Sequence, residues 1–269
     1  MKRIFLPLLA IVSLQAFAQQ TGESKGKPVE IFSSQKAINA NTTEVTGAGK
    51  MEFKVMHNFG DIAGNGGGIK NFFGLDNAVD VRIAFEIGVS PTTDITFSRA
   101  KGAGQQQRFY ELNIKQQLMH QLEGDPSHPL SIALFANAAV ATNKASALEN
   151  FDHSFRSFSD RLSETLQLIV AKRIKNVSVQ LNPTLVTRSY SISYDQKTIF
   201  ALGGALRFPL SPKMNFIIDY FHPFRSESSK DSFRINNNIK FYDPLGVGLE
   251  IITGRHVFHL NFTNATETL

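Results

Sequence analysis

Cysteine is absent from the 269 residues, which excludes a disulfide framework and a lipid attached at a cleavage-site thiol. Tryptophan is absent too, so any aromatic belt at a membrane interface must come from the 23 Phe and five Tyr. Beyond the N-terminal run, no segment stays apolar for the roughly 18 residues of a membrane-crossing helix. One-sided charge is missing as well. Lys and Arg number 28 against 23 Asp and Glu, a mildly basic balance that is not a nucleic-acid footprint.

What is present begins with an export signal. Met1-Lys2-Arg3 leads into the apolar run Ile4 to Leu14, then Ala16-Phe17-Ala18 and Gln19. A basic start, a short apolar run and a small-x-small site make a secretory signal peptide, with cleavage expected after Ala18. Losing Lys2 and Arg3 lowers the formal charge from +5 to +3. Residues 19–48 are polar and rich in small residues, and read as a flexible periplasmic leader with a short turn near Val29 to Phe32. Residues 49–269 then form one domain.

That domain is rhythmic. Val79, Val81, Ile83, Phe85, Ile87 and Val89 alternate with Asp80, Arg82, Ala84, Glu86, Gly88 and Ser90. Period 2 marks a strand with one apolar and one polar face, and this one is long enough to rise roughly 25 Å when tilted, the height of a barrel's apolar band. Similar strands are expected near 51–59, 94–99, 109–118, 130–141, 161–172, 177–188, 198–208, 214–221, 244–252 and 256–263.

Connections alternate as well. Tight turns at 90–93, 124–127, 175–176, 210–213 and 253–255 separate longer stretches at 60–77, 100–108, 142–160, 189–197 and 222–243. Outer-membrane barrels show this alternation of short periplasmic turns with long outer loops, whereas a sandwich has Greek-key crossovers. Period 2 alone fits a soluble barrel or sandwich with its faces reversed. Strand number, strand length and loop alternation favour the membrane form. The expected fold is an all-β, antiparallel, up-and-down transmembrane β-barrel of about 12 strands. Eleven are countable, so either 233–241 (Phe-Arg-Ile-Asn-Asn-Asn-Ile-Lys-Phe) is a further strand or the chain stops short of the last; the second is preferred.

The polar face supplies the expected lumen lining: Asp80, Arg82, Glu86, Glu111, Lys115, Arg207, Asp219 and Glu250. Both signs are present, which suits an ion-paired interior better than a strongly selective pore. Gly64-Asn65-Gly66-Gly67-Gly68 lacks a P-loop's Gly-Lys-Ser/Thr ending and reads as a surface loop, with Lys70, Phe72 and Phe73 beside it available to enter the lumen or hold a partner. His256 and His259 stand three apart on one strand, so they face opposite ways and cannot share a metal ion. Asp152-His153-Ser154 in a long loop has triad residue types, but neighbours in sequence are not a triad. Neither an enzyme nor a cofactor is expected.

The stretch Tyr242 to Glu250, followed by Gly254-Arg255-His256-Val257-Phe258-His259-Leu260-Asn261-Phe262-Thr263-Asn264, resembles an uncharacterised family of Gram-negative outer-membrane β-barrels through its G-x-H-x-F-x-L-x-F-T-N strand. Phe73-Gly74-Leu75-Asp76-Asn77-Ala78 is a second match, and the resemblance covers roughly residues 48–269. It implies a barrel in the outer membrane and a chain that continues into a further strand; it implies no substrate. The expectation is therefore a barrel in contact with outer-membrane lipid, acting as a narrow porin-like pore or binding channel for small solutes. The alternatives are a non-conducting barrel that docks a protein through its long loops and, behind it, a membrane-embedded hydrolase.

Overall fold

The computed structural model describes residues 26–63, 67–76, 78–102 and 108–265. Eleven strands make one sheet in sequence order, each pairing antiparallel with the next. They are β1 (Met51–Phe59), β2 (Ala78–Ser90), β3 (Thr93–Lys101), β4 (Arg108–Met119), β5 (Ser131–Ala141), β6 (Leu162–Ile174), β7 (Val177–Arg188), β8 (Thr198–Ser211), β9 (Met214–Pro223), β10 (Leu245–Thr253) and β11 (His256–Thr263). The strands fall where the sequence pattern puts them, but the alternation of connections is not strict: the β4–β5 connection, 120–130, is longer than those at 102–107 and 189–197 on the opposite end. The described residues hold the eleven strands counted in the sequence.

Alternation in sequence becomes two faces in space. Phe53, Phe85, Phe97 and Leu112 pair in register across β1 to β4 and are exposed. One step along, Glu86, Thr96 and Asn113 pair across β2 to β4 and are buried. A soluble protein buries the first row and wets the second; a barrel in lipid does the reverse. Register shifts cluster at the short-turn end, between Gly88 and Ser90, Gln117 and Met119, and Pro209 and Ser211. Such bulges add local twist, which helps a sheet curl.

An odd strand number leaves β1 and β11 running the same way, so the antiparallel ladder ends at these two edges. The wall also makes room for something inside it. Inward positions include Ala171, Ala205 and Gly203, and a Cβ on Gly203 would lie 2.2 Å from the ring of Phe221. Two segments differ from the sequence expectation. Residues 26–48 are not a loose leader but run into the barrel. The stretch 233–241 is not a strand: it carries the end of helix α1 (Glu227–Asn237), whose N-cap Ser226 accepts a hydrogen bond from the amide of Ser229 and whose first turn holds Glu227.

Candidate functional site

The interior is the site, and the N-terminal segment fills its short-turn half. This segment forms almost no regular secondary structure. A small hairpin, closed by Ala37 N donating to Ala40 O and Thr42 N to Gln35 O, stands inside the barrel. Most of its amides and carbonyls therefore need partners that a ladder would otherwise supply. The wall provides them. Asp219 of β9 accepts from the amides of Ile38, Asn39 and Ala40, and from the Asn39 side chain at 2.9 Å. Glu250 of β10 accepts from Ser33 N, and Asp94 of β3 from Thr46 N at 2.8 Å. Glu44, within the segment, accepts from the amides of Ile31 and Phe32.

Wall donors serve the carbonyls. Lys115 Nζ reaches Gln35 O and Glu44 O, Gln117 reaches Thr43 O, Gln180 and Asn182 both reach Asn41 O, and Ser178 reaches Ile31 O. Buried apolar contact gathers in a cluster in which Ile31, Phe32, Ala37, Ile38 and Ala40 meet Ala171, Ala205 and Ile217. The plug also bridges the sheet's two edges. Gln35 donates to Glu52 of β1 at 2.8 Å, while its neighbour Ser34 bonds His259 of β11 at 3.2 Å. Gly47 and Gly49, both at positive φ, join plug to β1, and a Cβ on Gly88 would collide with Gly47 O at 1.9 Å. Glycine is needed there for turn and close approach alike.

All eight residues expected along the lumen are buried. Two pairs of them are joined in ion pairs: Arg82 with Glu111 at 2.7 Å and Arg207 with Glu250 at 3.0 Å. Glu86 takes Lys54 at 2.7 Å, Lys115 and Asp219 hold the plug, and Asp80 is buried toward the long-loop end beside Gly102. Fixed charges here are spent on the wall and on the plug, so no single sign lines an open path. Sequence reasoning missed the plug itself. Its signals were Ile31-Phe32 and Ile38 inside a polar stretch, and the row of wall amides and carboxylates with no cross-strand use for so much hydrogen-bonding capacity.

The long-loop end closes differently. Phe155 of the β5–β6 loop packs on Ala100, Phe109, Ala139 and Ala141, with the Arg161 guanidinium 4.7 Å over its ring. Beside it stands a hub on Asp195, in the β7–β8 loop, whose carboxylate pairs with Arg188 at 2.7 Å and with Arg225. Arg225 in turn covers the rings of Phe233 and Phe241. Burial pushes the Asp195 carboxyl up, but the two guanidiniums outweigh it and hold it below the usual carboxylate range.

Other candidates separate. Ser154 Oγ donates to Leu148 O and accepts from Phe151 N, so it is a loop staple rather than a nucleophile held by His153. His259 points inward to Ala37 O while His256 is exposed beside Phe258. Phe72 and Phe73 are exposed rather than inside the lumen, as is Lys70. Of the glycine-rich loop, residues 64–66 lie outside the described residues. Among the described residues no helix is long and apolar enough to cross a membrane, which leaves a crossing by strands open.

No curated protein and no solved structure matches the chain. A family model does, over residues 32–269, and so includes most of the plug with all eleven strands. The sheet, its apolar exterior and this match together place the chain in the family described as a membrane bound beta barrel domain (DUF5777), a domain of unknown function.

Proposed function

We propose that the protein is an outer-membrane barrel of a Gram-negative cell, exported with cleavage after Ala18, whose lumen is closed at rest by its own N-terminal segment. It admits or binds small solutes when that segment yields, and performs no chemistry. One observation carries this reading: outside the one apolar cluster around Ile31 and Phe32, the boundary between plug and wall is polar on both sides. Asp219, Lys115, Gln180 and Asn182 hold backbone groups that water can hold nearly as well. Each such bond contributes only about 1 kcal/mol net against water, so the plug is displaceable in a way that an apolar core is not. A second reading, a barrel that docks a protein, draws on the β1–β2 loop, where Ile69 is 81% exposed beside Phe72 and Phe73.

Planar-bilayer recording separates them. The native chain should be mostly silent, and a double variant Asp219→Ala, Glu250→Gln should open in discrete steps. Stable steps from native protein would overturn closure at rest. Silence from a variant shown to be folded and inserted would sink the pore and leave the loop reading.

A further inference from the structure

Among the described residues both rims carry cations outside any ion pair, Lys144 and Lys197 among those of the long-loop rim, but the short-turn rim sets them on or beside two-residue hairpins. At the long-loop rim, guanidiniums are engaged: Arg188 and Arg225 by Asp195, Arg161 by the carbonyls of Ala141 and Asn143, and Arg234 by Asp231. At the short-turn rim, three consecutive hairpins carry cations: Lys172 and Lys175 at β6–β7, Lys213 at β8–β9 and Arg255 at β10–β11. Among the described residues, no ion pair takes up any of these four. Acids of this rim are Glu30, which Arg207 of β8 takes at 3.3 Å, and Glu123 and Asp125 in the β4–β5 turn.

Position adds to charge. Lys172 pairs with Val179 on the outward face of the wall, at the end of its strand, where a long side chain can lie along lipid and reach the headgroup level. Each hairpin also sets an exposed apolar side chain near its cation: Ile174, Leu210 and Phe258. Six adjacent strands at about 4.8 Å spacing spread this arrangement over roughly 24 Å of rim. Apolar surface below and an unshared cation above match an acyl chain and a phosphate.

From this we infer that the short-turn rim, along the arc from β6 to β11, binds the headgroups of anionic phospholipid. Cations held at a membrane surface favour anionic over zwitterionic lipid, and the preference falls with salt. The inference is independent of whether the lumen opens.

The test uses the full chain in nanodiscs of mixed phosphatidylglycerol and phosphatidylethanolamine, with retained lipid measured after extraction into detergent. Native protein should retain phosphatidylglycerol at least five-fold over its share, and raising salt should remove the preference. The quadruple variant K172Q, K175Q, K213Q, R255Q should fall to parity. Four neutralised lysines on the opposite rim (K70Q, K144Q, K197Q, K240Q) should leave it unchanged, as should the charge-keeping exchange K172R, K175R, K213R, R255K. Parity in the native protein would overturn the assignment. So would a preference indifferent to salt, or capture by isolated peptidoglycan without any lipid preference.

Discussion

The plug and the cap close opposite ends of the same barrel by opposite means. Plug closure is spread thinly: Asp219, Glu250, Asp94, Lys115, Gln117, Gln180 and Asn182 each hold one to three backbone groups. Cap closure converges on Asp195, which joins Arg188 of β7 to Arg225 and through it to Phe233 of α1 and Phe241. Both segments lack a strand's own ladder, so each depends on side chains for its place. Many weak anchors tolerate the loss of one; a single buried carboxylate between two guanidiniums does not.

Removing that carboxylate should give the largest effect. Asp195 is 2% exposed, and Asp195→Ala leaves both guanidiniums without their counter-charge. Loss of one partner from a buried pair costs about 3 kcal/mol. The cost should appear as faster hydrogen exchange and proteolysis across residues 225–241, with the strands unchanged. Acid attacks the same hub. A carboxyl whose native pKa is depressed contributes stability that is complete above its unfolded value, near 4, and is lost as pH falls through the native one. Cap exchange should therefore stay slow from neutral pH down to about 4 and rise below it. A cap indifferent to both changes would mean that the aromatic contacts hold it alone.

Asp219→Ala is the matching change in the plug and should cost less, about 2 kcal/mol, because water can reach some of the freed amides. Exchange at Ile38, Asn39 and Ala40 should speed up while Thr46, held by Asp94, stays protected. Collapse of protection over the whole of 27–46 would show that the plug is as concentrated as the cap, and the contrast between the two would fail.

The same contrast marks what could be read from sequence. Period 2 fixes which face a side chain takes, so Asp80, Arg82, Glu86 and the other five charged residues could be placed inward without knowing what they touch. The outward Phe85 and Phe97 follow from the same rule. Nothing comparable reaches the plug, because bends such as those over 33–40 have no period and their partners lie as far as 225 residues away, as with Ser34 and His259. Phe233, Ile235, Ile239 and Phe241 invite a strand because apolar residues fall at odd positions. The local N-cap at Ser226 and a buried contact between Phe233 and the Arg225 hub decide for a helix. Long-range partners chose these structures, and a single chain read in order does not display them.

Asp125 sharpens the comparison at its smallest scale. In the β4–β5 turn its carboxylate accepts from Ser127 Oγ, from Ser127 N at 2.9 Å and from His128 Nδ1 at 2.9 Å. Those bonds, with the Ser127 hydroxyl first, bring its pKa down to about 2. It has about as many donors as Asp219, but it stands in water. If burial rather than donor number makes Asp219 matter, the two should part company. The depressed value means that any stabilisation is present above an ordinary aspartate pKa and disappears as pH falls from about 4 toward 2. A carboxyl titration followed by NMR should find its midpoint near 2. Ser127→Ala should move that midpoint up toward the usual range while leaving the melting temperature where it was. A clear fall in melting temperature would show that this exposed turn anchors the plug through the contacts of Lys27 and Val29 with Glu123 and Gln121, and would extend the plug's distributed closure beyond the lumen.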